Sequence, residues 1–211
     1  QNHLGALKQT TVGLRQLARG LSQCKNLTEI DLSDNGLWPE GIRPICVALR
    51  TCSGMQRVNL SYNHPGRDLA IADLLRVHTS LQRLSVIEAP PQTRIERSFF
   101  LDARGKEQIG RALLESNATL RYLVCDNFAL DEGTTTLLWR SDIQNDAVLL
   151  AGALKTNDTL TAINLSGGKT AEGVDAALGD FEREELGRSL LRNLNGRVGY
   201  CDIYGLKSNG N

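Results

Sequence analysis

The stretch Ser166-Gly167-Gly168-Lys169-Thr170 has the residue types to cradle a phosphate. It ends like a G-x-x-x-x-G-K-[ST] loop, whose backbone N–H groups wrap an anion. That loop needs its first glycine at position 163, where the apolar Ile163 stands, so the stretch is more simply a turn of the L-S-G-N-K kind with Gly168 in the Asn place. His3, His64 and His78 show no metal-ligand spacing. Cys24, Cys46, Cys52, Cys125 and Cys201 are odd in number, scattered and without a C-x-x-C pair. They read as buried thiols of a reducing compartment rather than as a disulfide or zinc framework. Five N-x-[ST] triplets, beginning at Asn26, Asn59, Asn117, Asn157 and Asn164, fit the glycosylation sequon but recur where a repeat has structural uses for Asn. No Ser/His/Asp or Cys/His arrangement stands out, and acidic residues such as those in 182–185 belong to helix surfaces. These residues point to no catalysis, no metal, no cofactor and no small-molecule substrate.

Contact chemistry remains, and its placement depends on a repeated backbone. Residues 27–37, LTEIDLSDNGL, spell L-x-x-I-x-L-x-x-N-x-L. Leu27, Ile30 and Leu32 point to a core while Glu29 and Asp31 alternate outward along a short strand. An Asn in the ninth position can bond backbone groups of neighbouring turns, and one turn cannot bury its own apolar edge, so the pattern has to recur. It does so at MQRVNLSYN (55–63) after a step of 28 residues, and at Leu81 after a further 26. The spacing predicts helices between these strands. The first covers 4–23 with Leu4, Leu7, Leu14, Leu17 and Leu21; the second opens at Pro39, with Ile42, Ile45, Val47 and Leu49 on its apolar side and Pro44 fitting only in a first turn. The others cover 68–77, 106–116, 146–155 and 182–192.

With LTAINLSGG (160–168), these motifs resemble the ribonuclease-inhibitor-like leucine-rich repeats, the group that includes ribonuclease inhibitor, the activator of the GTPase Ran and NLR receptor arrays. The resemblance implies an α/β horseshoe solenoid, with parallel strands on a concave face and helices on the convex one. GTPase activation in that group uses polar loop residues that have no residue-by-residue match in this chain.

Seven strands are expected, beginning near 27, 55, 81, 120, 134, 160 and 196, in a single domain 1–211. Regularity breaks at 88–104, which holds Pro90-Pro91 and Phe99-Phe100, and again at 167–180; both read as insertions. EQIGRALL (107–114) matches EELGRSLL (184–191) at an offset of 77, and the decapeptide from Arg121 matches that from Arg197 at 76. Blocks of three turns, roughly 55–130 and 134–206, therefore read as a duplication. The outward pairs run Glu29 and Asp31, Arg57 and Asn59, Arg83 and Ser85, Tyr122 and Val124, Thr136 and Leu138, Ala162 and Asn164, then Val198 and Tyr200. Tyr and Arg most often carry interface energy, which makes Arg57, Arg83, Tyr122, Leu138 and Tyr200 the candidate contact patch. Phe99 and Phe100 are either a plug on the repeat core or an exposed contact on a rim loop.

Lys and Arg number 24 and Asp and Glu 24, so the formal net charge is zero, and the basic stripe that nucleic acid needs is missing. No apolar run approaches the ~20 residues of a membrane helix. The expectation is an intracellular, cytoplasmic module that binds another protein or protein complex, acting as a scaffold without catalysis. A structural accessory subunit of a large complex is the alternative, followed by a regulatory array of the GTPase-activating or NLR type. With Gln1 rather than Met in first place the chain reads as processed or partial, which leaves an organelle open.

Overall fold

In a computed structural model, the described residues are 11–66, 69–87, 101–126, 128–138, 147–164, 180–192 and 200–202. They form a mixed α/β architecture of six helices and eight strands. The helices are α1 (Thr11–Leu21), α2 (Pro39–Leu49), α3 (Ala70–Val77), α4 (Ala103–Glu115), α5 (Ala147–Leu154) and α6 (Asp180–Arg192). The strands are β1 (Glu29–Asp31), β2 (Arg57–Asn59), β3 (Arg83–Ser85), β4 (Tyr122–Val124), β5 (Ala129–Leu130), β6 (Thr136–Leu138), β7 (Ala162–Asn164) and β8 (Tyr200–Asp202). No helix among the described residues is long and apolar enough to cross a membrane.

Strands β1 to β4 are parallel, and each contributes one inward residue between two outward ones. Ile30, Val58, Leu84 and Leu123 register with one another and pack into the core. The helices cover that side. Leu14, Ala18 and Leu21 of α1 are buried, as are Ile42, Ile45, Cys46 and Leu49 of α2. Val47 departs from the expected apolar side: it is 54 % exposed, because Cys46 supplies the inward contact at that turn. Pro44 also departs from expectation, since α2 starts at Pro39 and the proline sits beyond its first turn. Leu4 and Leu7 lie outside the described residues. α4 begins at Ala103 rather than 106 because the Asp102 side chain caps it, accepting from the Gly105 amide at 2.9 Å.

Polar side chains tie successive turns together. Asn63, in the ninth position, is fully buried. Its Nδ2 donates to the Leu32 and Leu60 carbonyls at 2.9 Å, while its Oδ1 accepts from the Leu37 amide at 2.9 Å. A second column stands three residues before the anchors Leu27, Met55, Leu81, Leu120 and Leu160, at Cys24, Cys52, His78, Asn117 and Asn157. Cys52 Sγ donates to the Leu21 carbonyl at 3.4 Å, and His78 Nε2 bonds the Cys52 carbonyl at 3.1 Å. Asn117 Nδ2 reaches the Leu75 and His78 carbonyls at 3.0 and 3.2 Å. Asn117 and Asn157 are 2 % and 1 % exposed, so two of the five sequon asparagines serve these corners.

The strands form two sheets rather than one run. β5, which the repeat spacing does not reveal, turns back antiparallel on β4 (Leu123↔Leu130, Val124↔Ala129) and closes that edge. β6, β7 and β8 make a separate three-stranded parallel sheet. No helix intervenes between β4 and β6, so α5 packs directly on α4. The two backbones touch there: a Cβ on Gly110 would stand 2.4 Å from the Val148 carbonyl oxygen, and one on Gly152 would stand 2.7 Å from that of Gly110. Every residue of α5 is buried. Lys155 Nζ donates to the Leu114 carbonyl at 2.8 Å and the Leu113 carbonyl at 3.2 Å, placing its charge at the negative end of α4. β8 registers Tyr200 with Ala162, two residues later than the strand expected from position 196. Tyr200 thus takes its strand's first outward position, not the second, and Val198 lies outside the described residues.

Candidate functional site

The sheet surface away from the helices carries two rows of side chains fixed by register. The first runs Glu29, Arg57, Arg83 and Tyr122, and the second Asp31, Asn59, Ser85 and Val124. A parallel sheet is normally covered on both faces. Here the strands are three residues long and their outward positions over β1 to β3 are polar, so the second face can meet water. Glu29, Asp31, Arg57, Asn59, Arg83 and Ser85 line a basin of about 340 Å3 on this surface.

Asp31, Asn59, Arg57 and Arg83 in the basin each have defined partners. Asp31 accepts from Ser33 Oγ at 2.6 Å, from the Ser33 amide at 2.8 Å and from Asn59 Nδ2 at 3.0 Å. The Ser33 hydroxyl, then its amide, then Asn59 hold the Asp31 carboxyl below its ordinary value of 3.8. Asp31 is therefore a fixed anion that ends β1. Arg57 and Arg83 sit directly opposite on neighbouring strands, a like-charge pairing that is unfavourable by itself. The connection between β5 and β6 resolves it. Arg57 Nη2 donates to Glu132 Oε1 at 2.8 Å. Arg83 grips Asp131 with both ends of its guanidinium, through Nη1 to Oδ1 and through Nη2 to Oδ2 at 2.9 Å. Such forked pairs are the most specific form of arginine–carboxylate contact.

The acidic tip is itself supported. Asp131 and Thr134 exchange bonds, from the Thr134 amide to the Asp131 carbonyl at 2.9 Å and from the Asp131 amide to Thr134 Oγ1 at 3.1 Å. Tyr122 is engaged as well: its hydroxyl donates to Asp158 Oδ1 at 3.3 Å, and Arg121 pairs with Asp158 Oδ2. Burial first, then the charge and hydrogen bond of Asp158 and the charge of Glu132, raise the Tyr122 hydroxyl above its ordinary 10.0.

Residues 23–46 match the family model for a Leucine Rich repeat. The match covers the turn that displays the pattern in its fullest form. Comparison with curated proteins returns no match. Among solved structures, the tropomodulin C-terminal domain of Caenorhabditis elegans aligns at 14 % identity over 87 % of this chain and 94 % of its own, with a TM-score of 0.48. Leiomodin-1 Actin-Binding Site 2 aligns at 16 % identity over 87 % of this chain and 89 % of its own, with a TM-score of 0.45. At these scores neither likeness bears on function.

Of the residues singled out in the sequence, Arg57, Arg83 and Tyr122 come together on one sheet face. Leu138 and Tyr200 belong to the second sheet, on β6 and β8. Phe99, Phe100 and the phosphate-loop-like stretch 166–170 lie outside the described residues. Asp131 stands three residues before Thr134 and Asp158 lies inside the sequon that begins at Asn157, but neither position, nor that of Glu132, marks a carboxylate that would occupy the clustered residues. For Asp131 and Glu132 a further signal is local: Asp131-Glu132-Gly133-Thr134 is a turn-forming composition inside an unusually short step between strands.

Proposed function

We propose that this chain is a non-catalytic protein-interaction module, a curved solenoid whose concave sheet face and rim loops bind another protein. The observation that carries it is the basin over β1 to β3, with Arg57, Arg83 and Tyr122 side by side in register. Within a single domain 1–211, the blocks 55–130 and 134–206 are read as a duplication, with 88–104 and 167–180 as inserted rim segments. Leu138 and Tyr200 extend the contact surface, and Phe99 and Phe100 contribute from the rim. A cytoplasmic setting accords with Cys24 and Cys52, which are both free thiols. The test is capture of partners from lysate by the wild type, identification by mass spectrometry, and recapture with a variant combining Arg57→Ala, Arg83→Ala, Tyr122→Ala and Tyr200→Ala. We expect at least about a tenfold loss of the identified partner, the range reached when interface anchors are truncated. Full retention would sink the concave-face reading.

A second reading, a structural subunit held in a large assembly by its helix backs or inserted segments, is favoured by one observation. Val12, Val47 and Val77, on α1, α2 and α3, are 63 %, 54 % and 46 % exposed. Combining Val12→Ser, Val47→Ser and Val77→Ser separates the two readings, since only the second predicts lost assembly with the sheet face and rim segments intact.

A further inference from the structure

We propose that the Arg57–Arg83 pair is a receptor for two adjacent carboxylates on an acidic peptide segment, and that Asp131-Glu132 is the chain's own occupant of that receptor. The inference rests on the reading of this face as an interaction surface, and adds the partner's chemistry and its control.

Three features support it. Arg57 and Arg83 are held opposite one another by the register of β2 and β3, so their guanidinium groups form a fixed pair of positive charges. The molecule shows what that pair takes: one carboxylate gripped in a fork by Arg83 and a second, from the next residue, bound by Arg57. The grip is also exchangeable. The Arg57–Glu132 side chains are 47 % and 49 % exposed and those of Arg83–Asp131 28 % and 38 %, so water and salt reach both pairs. The occupant comes from a short connection 48 residues beyond Arg83 and 75 beyond Arg57, outside the repeat that builds the floor. Glu29 and Asp31, on the same floor, repel longer acidic tracts and limit the receptor to a short acidic element.

A ligand that needs the open state binds more weakly by the fraction of time the site is open. If Asp131-Glu132 holds the pair closed about four-fifths of the time, releasing it tightens an incoming acidic segment about fivefold. The probe is the blocked peptide Gly-Ser-Asp-Glu-Gly-Ser, titrated by NMR into the full chain at low and moderate salt. A peptide with Asn-Gln in the acidic positions and a phosphoserine peptide of equal length serve as comparisons. The variant D131N/E132Q should bind the Asp-Glu peptide about fivefold more tightly than the wild type. R57A/R83A should lose that binding, and added salt should weaken it. Equal affinity for the Asn-Gln peptide, no gain in D131N/E132Q, or unchanged binding by R57A/R83A would overturn the proposal. Preference for the phosphoserine peptide would overturn the carboxylate assignment. Should the captured protein partner depend on Arg57 and Arg83 while D131N/E132Q leaves its affinity unchanged, the inference fails and the interaction-module reading stands.

Discussion

At the scale of single residues, the column that starts at Cys24 shows how one structural need selects different chemistries. From Cys52 onward each member is buried in a tight corner and satisfies a carbonyl of an earlier turn; a thiol, an imidazole and two amides all do so. His78 is the member whose charge changes in the mildly acidic range. Its Nε2 donates to the Cys52 carbonyl, and its Nδ1 lies 3.3 Å from Ser80 Oγ. Burial lowers its pKa from the ordinary 6.5, opposed in part by the Cys52 and Leu49 carbonyls, and burial against Trp38 lowers that of His64 as well. The sign follows from proton counts: below pH 6.5 the unfolded chain binds protons that the folded one refuses until a lower pH. Stability is therefore full above that value and falls with acidification. His78→Asn places in that corner the residue the chain uses at Asn117 and Asn157. It should keep the neutral-pH midpoint of urea unfolding near that of the wild type and flatten its decline toward pH 5. An unchanged decline would show that His78 does not contribute. The sequence already pointed to Asn for such corners through the sequons at Asn117 and Asn157, but His78 had no pattern to distinguish a buried corner from a surface site.

At the scale of elements, the repeat was legible because a three-residue strand with one inward anchor imposes its spacing on everything nearby. Leu27, Met55, Leu81, Leu120 and Leu160 could be located from spacing alone, and Arg57 and Arg83 followed as outward neighbours. The contact between α4 and α5 was not legible. EQIGRALL and EELGRSLL match residue for residue at Gly110 and Gly187, yet the two glycines meet opposite surroundings. An added Cβ at Gly110 would strike the Val148 carbonyl, and one at Gly187 would find nothing within 4 Å. Gly110→Ala must therefore push two buried helices apart, at a cost of about 3 kcal/mol. Gly187→Ala should instead stabilise by up to about 1 kcal/mol, because alanine is the better helix former. Thermal and urea unfolding of the two variants should move in opposite directions. A shared direction would refute the backbone contact as a determinant of stability.

At the scale of the whole molecule, the decisive feature is a mismatch between layers. Helices pack α1 to α6 in unbroken succession, while the strands divide after β5 into sheets of five and three. In a repeat array, stability is roughly a sum of each turn and its contacts with neighbours. The larger sheet should therefore outlast the smaller. Native-state hydrogen exchange in mild urea should release amides of β6 to β8 at free energies about 1–2 kcal/mol below those of β2 and β3. A single opening for all of them would show that the helix layer makes the molecule one cooperative unit. The division escaped sequence reading because β5 has only two residues and pairs by reversal, which leaves no repeat signature. The occupied state of Arg57 and Arg83 escaped for a related reason, since its carboxylates arrive from beyond that division.

The same mismatch has a mechanical meaning. On the helix side Gly110 and Gly152 bring two backbones into contact and leave no gap to close. On the sheet side no strand-to-strand ladder among the described residues joins β5 to β6. Among the described residues, a bending load should meet least resistance along a line between Leu130 and Thr136, with its pivot at the glycine contact. Flexing away from that pivot widens the sheet side without tearing a ladder. The bonds from Arg121 and Tyr122, at β4, to Asp158, ahead of β7, span this line and stiffen it for as long as they are made.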